Sequence, residues 1–398
     1  MYINLLPEIL YPTSGRELAD ALASSARAKR SIDLFGADTK RRMAGPLAAA
    51  PAVRISTAKM RRILSYEPAD LTVSVEAGIP FADLSRELAR NNQMIPLAGP
   101  FAEHATVGGI VAANISEPRR RLYGSARDLV IGMTLATVEG KLFQTGGMVV
   151  KNVAGLDMGK LMIGSFGTLA AIVSVNFKLS PRPAESRTAV FTFSDAKAAF
   201  EARDAILRGV LAPAAIDAVN PVLAAQIGWK GFLLAVQFVG NSAVIDRSAT
   251  EYASLGPARS LSGQADSLSG NDEQRFWTSI RQTTPRHLEK FRDGLVVKVS
   301  TKLTECGEAL ASVEGPGHAH AGNGIVRNSF TRADAASRWL EACLKKGWKG
   351  VIEFGPETPA PGLALWPAPG GDFEIMKEIK QMFDPEGLLN RGRLFGRI

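Results

Sequence analysis

Two histidines and an arginine lie within ten residues of each other late in the chain. The stretch GHAHAGNGIVR covers residues 317–327 and contains His318, His320 and Arg327. Histidine transfers protons near neutral pH or ligates metals, and arginine binds a carboxylate through two parallel hydrogen bonds. A divalent metal site needs at least three imidazole, carboxylate or thiolate ligands, which this stretch does not supply. We therefore expect no metal here, and an ordinary strand and turn remains the alternative.

A second chemical signal is the glycine-rich stretch between residues 105 and 178. TVGG at residues 106–109 precedes a helix-like segment, whose first amides would be able to face a phosphate. GSFGTL at residues 164–169 precedes AAIVSVNFKL, a strand rich in β-branched residues. Glycine allows positive φ and close approach of the backbone to a large flat ligand. An ordinary glycine-rich α/β core is the competing interpretation.

The surrounding sequence indicates two domains. Residues 15–30 have apolar positions at helical spacing, and SIDLFG at residues 31–36 predicts a strand. Residues 52–78 are read as strand, helix and strand, residues 82–92 as an amphipathic helix, and residues 129–146 as a hairpin. After Pro181 and Pro183 the pattern alternates strand and helix, which favours an antiparallel sheet with helices on one face. A Pro/Gly linker then leads into a helical tail.

Composition limits the function classes. With 398 residues, 46% hydrophobic and 22% charged, the chain is long enough for two buried cores. Its apolar runs stay short of the about 20 residues that a membrane helix needs, and the start lacks a secretory signal. The net charge of +8 comes from scattered residues without a nucleic-acid module, so an acidic partner or anionic ligand is the better expectation. Cys306 and Cys343 form no framework or metal spacing, which suits a reducing cytoplasm.

Several longer motifs resemble a known family. ATVGGIVAAN, YGSARDLVIGMTL, GGMVVKNVAGLDMGKLMIGSFGTLAAIVSVNFKL and the closing FDPEGLLNRGRLFGRI are similar to FAD-linked oxidases of the vanillyl-alcohol-oxidase (PCMH) type. Within that family the resemblance is strongest to the FAD-binding E subunits of bacterial glycolate oxidases. It covers most of residues 25–182 and about 372–398, whereas the middle of the chain matches poorly. No GxGxxG fingerprint supports a Rossmann NAD site.

The resemblance implies an α+β fold class. A two-subdomain PCMH-type FAD-binding domain would cover residues 1–182, with subdomains of about 1–57 and 58–182. An antiparallel-sheet α+β cap domain that holds substrate would cover residues 183–370. The C-terminal helix and tail, residues 371–398, would return to the FAD domain.

The resemblance also implies an FAD site. No histidine occupies the loop at residues 36–40, where some relatives attach flavin covalently, so non-covalent FAD is expected. The implied cofactor-binding residues lie in that loop, in the two glycine-rich segments and in the tail. They are Phe35, Gly36, Ala37, Asp38, Thr39, Lys40, Pro100, Thr106, Gly108, Gly109, Ala113, Asn114, Gly155, Ile172, Val173 and Asn390. Ile172 and Val173 would present backbone groups to the flavin edge, and His104 is expected to be a loop residue.

The loop that would hold the FAD pyrophosphate departs from the family pattern. Relatives read close to RGGG[ST], whereas this chain has Phe35, Gly36, Ala37, Asp38 and Thr39. Aspartate tolerates the left-handed conformation and can keep the turn, but its carboxylate would oppose two phosphates. Lys40 and Arg41 are expected to offset that charge. A plain surface loop is the alternative.

The resemblance implies oxidation of a small 2-hydroxy acid. That reaction needs a cation for the substrate carboxylate and a base for its hydroxyl. The candidate catalytic residues are Arg327 and Arg393 as cations and His318 and His320 as bases. Catalytic relatives often read HxGDGNxH here, and aligned on His320 this chain has Arg327 in place of the second histidine.

Three functions remain open from sequence. The chain can be the FAD subunit of a glycolate oxidase complex, with a second flavoprotein subunit and an iron–sulfur subunit as partners. Because this chain has only two cysteines, any iron–sulfur cluster would belong to a partner. It can instead be a stand-alone FAD-dependent dehydrogenase of a hydroxy acid or alcohol. The third function is a flavin-free scaffold that keeps only the fold.

Overall fold

Strand and helix alternate through the computed structural model of the chain. The structure describes residues 7–97, 99–115, 118–148, 157–210, 212–255, 266–358, 360 and 362–398. The strands are β1 Glu8–Leu10, β2 Ile32–Phe35, β3 Val53–Ser56, β4 Ile63–Glu67, β5 Thr72–Glu76, β6 Gln93–Met94, β7 Val130–Ala136, β8 Leu142–Gly146, β9 Ala171–Lys178, β10 Ser180–Pro181, β11 Glu185–Phe193, β12 Ala215–Val219, β13 Phe232–Gly240, β14 Asp266–Ser269, β15 Leu295–Ser300, β16 Gly317–His320, β17 Ile325–Phe330 and β18 Lys349–Phe354.

The helices are α1 Gly15–Arg27, α2 Phe81–Ala89, α3 Val107–Ala113, α4 Arg120–Tyr123, α5 Ala126–Leu129, α6 Gly159–Met162, α7 Ala196–Arg208, α8 Pro221–Gln226, α9 Ser242–Leu255, α10 Gly270–Arg281, α11 Thr283–Lys290, α12 Cys306–Ala311, α13 Ala333–Lys345 and α14 Phe373–Phe383. Short 3₁₀ turns occur at Thr57–Lys59 and Leu303–Glu305.

The chain divides into two compact units. Unit 1 contains Met1–Ile115, Ser125–Arg182 and Trp366–Ile398, and unit 2 contains Ser116–Gly124 and Pro183–Leu365. Residues 118–124 therefore pack with unit 2, although the sequence analysis assigned them to the first domain. Trp366 packs with unit 1, where its indole donates to the carbonyl of Ala44 at 2.9 Å.

Unit 1 contains two main sheets. A three-stranded parallel sheet has the order β1-β3-β2, and a five-stranded antiparallel sheet has the order β4-β5-β9-β7-β8. Helix α1 begins at the cap Ser14, whose side chain accepts from the amide of Glu17, and it buries Leu18 and Leu22. These leucines share a core with Ile32 and Ile55 of the parallel sheet.

Residues 63–67 correct one element prediction. We read this stretch as a helix, but it forms β4 and pairs antiparallel with β5. The side chain of Arg62, just before β4, binds the buried carboxylate of Glu76 at the end of β5, with Nη2 2.8 Å from Oε1. Tertiary pairing outweighs the weak helical spacing here.

Unit 2 is built on an eight-stranded sheet of antiparallel pairs. Its order is β14-β11-β13-β12-β16-β17-β15-β18. Alternate residues of β11 face opposite sides, because Phe191 joins the core with α7, α12 and α13 whereas Val190 joins the core with α8 and α10. Helices thus cover both faces of the sheet, and our expectation of helices on one face was wrong.

Two further observations concern the whole described chain. None of its helices combines the length and apolar character that crossing a membrane requires. Cys306 and Cys343 are free and buried, and burial raises the pKa of their thiols to about 12 and about 11 respectively.

Candidate functional site

A cleft of about 760 Å³ opens in unit 1 where the glycine-rich segments meet the C-terminal tail. The end of β2 and its following loop form one wall, and α3 and the turn before β9 form another. The cleft is lined by Leu34, Phe35, Gly36, Ala37, Asp38, Thr39, Lys40, Arg41, Thr57, Ala77, Thr106, Gly108, Gly109, Ala112, Ala113, Phe166, Gly167, Ala170, Ile172, Asn390 and Arg393.

Most of the proposed cofactor residues lie in this cleft. Its lining includes the whole predicted loop 35–40 together with Thr106, Gly108, Gly109, Ala113, Ile172 and Asn390. Three others, Pro100, Asn114 and Val173, do not line it, and Gly155 falls outside the described residues.

Val173 and Asn114 have other roles. The carbonyl of Val173 accepts from the amide of Ala77 at 2.9 Å, and its side chain packs in the core beneath α1. The expectation that Val173 presents backbone groups to a flavin is therefore wrong. Asn114 ends α3 with φ of 44°, which asparagine tolerates.

Glycine lets two segments of the cleft wall approach closely. A Cβ added to Gly36 would lie 2.1 Å from Oγ1 of Thr106, and one added to Gly108 would lie 2.8 Å from Cβ of Ala77. Neither neighbour can move far, because Thr106 caps α3 and Ala77 is fully buried. The missing side chains thus bring the loop after β2 against the start of α3.

The first amides of α3 do not point freely into the cleft. The amide of Val107 donates to Ile79 at 3.0 Å, that of Gly108 to Ala77 at 2.8 Å, and that of Gly109 to Oγ1 of Thr106 at 3.3 Å. Our prediction that these amides face a phosphate is therefore wrong. The glycines of α3 form a part of the cleft wall that has no side chains, and the polar groups of the cleft belong to other segments.

Asp38 keeps the turn that follows β2. Its φ is 57°, in the left-handed region, as expected from the tolerance of aspartate for that conformation. Its carboxylate accepts from Nη2 of Arg54 at 2.9 Å, while Nε of Arg54 binds Asp33 at 2.7 Å. The guanidinium also lies 4.2 Å from the ring centre of Phe35.

Arg54 therefore offsets the charge of Asp38, a role that we had assigned to Lys40 and Arg41. Burial disfavours the charged guanidinium, but its hydrogen bonds and attraction to Asp38 and Asp33 outweigh burial and raise the pKa of Arg54. The pairing depends on the fold, since Asp33 and Arg54 are register partners in adjacent parallel strands.

Arg393 lies in this cleft and holds its loop. One terminal nitrogen donates to the carbonyls of Arg41 at 2.7 Å and Met43 at 3.1 Å, and a longer contact of 3.4 Å reaches Gly45. The other lies 3.9 Å from Asp33. These contacts fit a loop-holding cation, and binding of a substrate carboxylate by Arg393 stays a prediction.

Asn390 joins three parts of unit 1. Its side-chain oxygen accepts from the amide of Leu34 at 2.7 Å, and its nitrogen donates to the carbonyls of Leu34 at 3.0 Å and Phe166 at 2.8 Å. Nearby, the buried ammonium of Lys380 donates to the carbonyls of Thr168 and Leu389. The tail thus ties β2 to the turn before β9.

A second polar group of residues lies in unit 2, on β12, β16, β17 and β18. We call Asp217, His318, His320, Arg327 and Glu353 the buried polar cluster; each is at most 7% exposed. Nε and Nη2 of Arg327 bind Glu353 at 2.7 and 3.1 Å, and its Nη1 lies 2.9 Å from Nε2 of His320. Nδ1 of His320 lies 3.0 Å from Asp217.

These contacts fix the protonation state of His320. Arginine has only donors, so Nε2 of His320 accepts, and Nδ1 carries the proton that is donated to Asp217. His320 is a neutral imidazole with both nitrogens in use, which makes it a poor base as arranged. Arg327 does pair with a carboxylate, but that carboxylate belongs to Glu353 of the same unit, and binding of a substrate carboxylate by Arg327 stays a prediction.

His318 is the histidine that keeps a nitrogen available. Its Nδ1 is buried with no hydrogen-bond partner among the described residues. Burial, aided by the neighbouring His320 and Arg327, holds the pKa of His318 well below its usual range, so the ring is neutral. A neutral imidazole with a free nitrogen is able to accept a proton or a hydrogen bond.

The carboxylates of the cluster were missed from sequence. Asp217 precedes His320 by 103 residues and Glu353 follows Arg327 by 26, and strand pairing brings them together. Burial opposes ionisation of Glu353, but Arg327 and Lys298 outweigh it and lower its pKa to about 2. Within the described residues, no group of three or more His, Cys, Asp or Glu side chains could hold a metal ion.

Comparison with protein families identifies two domains. Residues 7–146 match the FAD binding domain, and residues 368–394 match the C-terminal domain of FAD linked oxidases. The first match contains the loop after β2 and all of α3. The second contains α14, Asn390 and Arg393.

Individual relatives agree with these matches. The chain is 40% identical over 127 residues to the glycolate oxidase subunit GlcE of Escherichia coli, which covers 32% of this chain but only 36% of that protein. It is 24% identical over 368 residues to the glycolate oxidase subunit GlcD of Bacillus subtilis, covering 85% of this chain and 78% of the relative.

The fold has close counterparts among solved structures. A structure of p-cresol methylhydroxylase with substrate bound superposes with a TM-score of 0.76 at 14% identity, covering 97% of this chain and 88% of that one. This likeness establishes the PCMH-type α+β fold. The two domain matches show similarity to the FAD binding domain over residues 7–146 and to the C-terminal domain of FAD linked oxidases over residues 368–394, which together make up less than half of the chain.

Proposed function

We propose that the chain binds FAD non-covalently in the cleft of unit 1 and acts as the FAD-binding subunit of a glycolate oxidase- or dehydrogenase-type complex. In this proposal the complex oxidises a small 2-hydroxy acid, with hydride transfer to the flavin. The observation that carries the proposal is the cleft itself, where the loop 35–41, α3 and the tail meet within the FAD binding domain. The likeness to the glycolate oxidase subunits supports the choice of substrate class.

The residues of the cleft fit FAD. Gly36, Gly108 and Gly109 line the cleft without side chains, and added Cβ atoms would press on Thr106 and Ala77 and displace the wall, while Ala113 and Ile172 would provide apolar contacts. Thr39 and Lys40 would bind the pyrophosphate, because the carboxylate of Asp38 is already neutralised by Arg54. The cleft holds no histidine, which favours non-covalent binding.

The chemistry needs a hydride acceptor and a base. Bound FAD supplies the acceptor, taking the hydride from the carbon that bears the hydroxyl. We assign the base to His318, because its Nδ1 is neutral and without a partner among the described residues. Arg327 and His320 would keep His318 neutral, since both lower the pKa of its ring in addition to the effect of burial.

The proposed partners are a second flavoprotein subunit and an iron–sulfur subunit. The names of the two glycolate oxidase relatives motivate a multi-subunit complex. The two cysteines of this chain are buried and far too few for an iron–sulfur cluster, so a partner would carry that centre. We place the complex in the cytoplasm, where such thiols stay reduced.

A second candidate is a stand-alone FAD-dependent hydroxy-acid or alcohol dehydrogenase. The unpartnered nitrogen of His318 favours it, because a subunit without catalysis of its own has no need for a buried free base. The two candidates differ in whether the isolated chain reduces its own flavin.

The first experiment is a visible spectrum of the purified chain. Flavin bands that heat denaturation releases into solution would support non-covalent FAD in the cleft. Anaerobic addition of glycolate then separates the candidates, since bleaching by the isolated chain favours a stand-alone enzyme and bleaching only with partner subunits favours the complex. A colourless chain that takes up no added FAD would contradict both and leave the flavin-free scaffold.

A further inference from the structure

Arg327 sits where two potential metal ligands converge. Its Nη1 lies 2.9 Å from Nε2 of His320, and its Nε lies 2.7 Å from Oε2 of Glu353. Imidazole and carboxylate are also the groups that bind divalent ions such as zinc. The third nearby ring is that of His318, whose centre lies 5.4 Å from that of His320.

The surroundings of His320 follow the pattern of a metal-bound histidine. A ligating histidine almost always donates its second ring N–H to a carboxylate, which fixes the tautomer and turns the lone pair to the metal. His320 donates from Nδ1 to Asp217 and turns its Nε2 lone pair to Arg327. The arrangement of carboxylate, histidine and cation that is typical of a metal-bound histidine is therefore present, but here the cation is the guanidinium of Arg327.

The charges of the buried polar cluster balance around this guanidinium. Asp217 and Glu353 are two buried carboxylates, and Arg327 and Lys298 are the cations beside them, with Lys298 3.5 Å from Glu353. Because both histidines are neutral, loss of the guanidinium would leave one uncompensated negative charge. Buried charge without a partner is strongly unfavourable, so such a cluster would attract another cation.

We propose that Arg327 is a built-in cation that takes the place of a divalent metal ion in unit 2. The guanidinium satisfies the same imidazole nitrogen and carboxylate that a metal would bind, and it holds them too far apart for one. The native chain then keeps positive charge beside His318 without any metal. Removing the guanidinium would create affinity for borderline divalent ions, such as Co²⁺ and Zn²⁺, at His318, His320 and Glu353.

The test is a Co²⁺ titration of the chelator-treated full chain and its Arg327→Ala variant. We expect the variant to bind one Co²⁺ per chain with visible absorption bands, whereas the native chain stays colourless. Methylguanidinium should compete with Co²⁺ in the variant, because both would occupy the space that Arg327 leaves. Adding Glu353→Gln should abolish binding, and adding Asp217→Asn should weaken it about 10- to 100-fold.

A matched control is His104→Ala in the variant, since His104 is exposed and lies in unit 1, and its loss should leave Co²⁺ affinity unchanged. A folded Arg327→Ala chain that binds no Co²⁺ would overturn the proposal. So would a native chain that binds Co²⁺ through His320 with equal affinity. If Arg327→Ala unfolds the chain, Zn²⁺ or methylguanidinium should restore its thermal transition, and failure of both overturns the proposal.

Discussion

The ion pair between Arg54 and Asp38 makes a quantitative prediction for FAD affinity. Substitution Arg54→Met removes the guanidinium that binds Asp38 at 2.9 Å and Asp33 at 2.7 Å. Asp38 lines the cleft, so its uncompensated carboxylate would repel the pyrophosphate of FAD. Two unit charges about 8 Å apart interact by about 2 kcal/mol at an effective dielectric constant of about 20.

That energy corresponds to about a 30-fold increase in the Kd for FAD. Adding Asp38→Asn removes the carboxylate while keeping a side chain that tolerates positive φ, so the double variant should return to within about 3-fold of the native Kd. The assay is titration of flavin-free protein with FAD, followed by flavin fluorescence, at fixed low ionic strength.

The control is Arg90→Met, which removes the same charge from the exposed end of α2, where Arg90 pairs with Glu87. Its FAD affinity should equal that of the native chain. An unchanged Kd in Arg54→Met would refute the argument that Arg54 neutralises the loop. A double variant as weak as Arg54→Met would show that Asp38 is not the source of the repulsion.

Three further predictions concern packing and charge. Gly36→Ala places a Cβ 2.1 Å from Oγ1 of Thr106 and should lower the amount of bound FAD at least 10-fold. The control Gly147→Ala, whose added Cβ has no described atom within 4 Å, should leave the amount of bound FAD unchanged. Equal FAD content in both variants would contradict the packing argument. His318 is neutral in the folded chain, whereas in the unfolded chain its pKa is about 6.5. As the pH falls below that value, the unfolded chain gains a proton that the folded chain does not. The free energy of unfolding should therefore fall by up to about 1.4 kcal/mol per pH unit. Urea unfolding at pH 7 and pH 5 measures this loss, which His318→Gln should reduce; the same loss in that variant would exclude His318 as its source. Glu353→Gln leaves Arg327 buried without its carboxylate and should cost about 3–5 kcal/mol in urea unfolding, and a loss below about 1 kcal/mol would mean that Arg327 finds another partner.

The residues that line the cleft of unit 1 were largely predictable from sequence because their signals are local. Glycines at 36, 108 and 109 and an aspartate in a tight turn are visible as residue types at particular positions. The partner of Asp38 was harder, since Arg54 belongs to a different strand and reaches Asp38 only through the parallel register of β2 and β3. The amides of α3 were misassigned because their acceptors, Ile79 and Ala77, come from a distant segment.

In unit 2, sequence identified the histidines but not their surroundings. Asp217 and Glu353 resemble any other carboxylate in the chain until the pairing of β12 with β16 and of β18 with β15 fixes their neighbours. We also failed to predict that helices cover the second face of the sheet, and the reason is similar. In β11 four consecutive residues, 188–191, are buried, so the strand lacks the alternation that would indicate one exposed face.

The position of the tail in the chain has a consequence for biosynthesis. Asn390 and Arg393 close the cleft of unit 1, yet the ribosome must translate all of residues 183–365 before it reaches them. Until then, β2 and the turn before β9 lack the side chain that joins them, and the loop 41–45 lacks its guanidinium. If the cleft binds FAD as we propose, capture of the flavin would therefore follow synthesis of unit 2, and a ribosome that stalls within unit 2 would leave a nascent protein without these contacts.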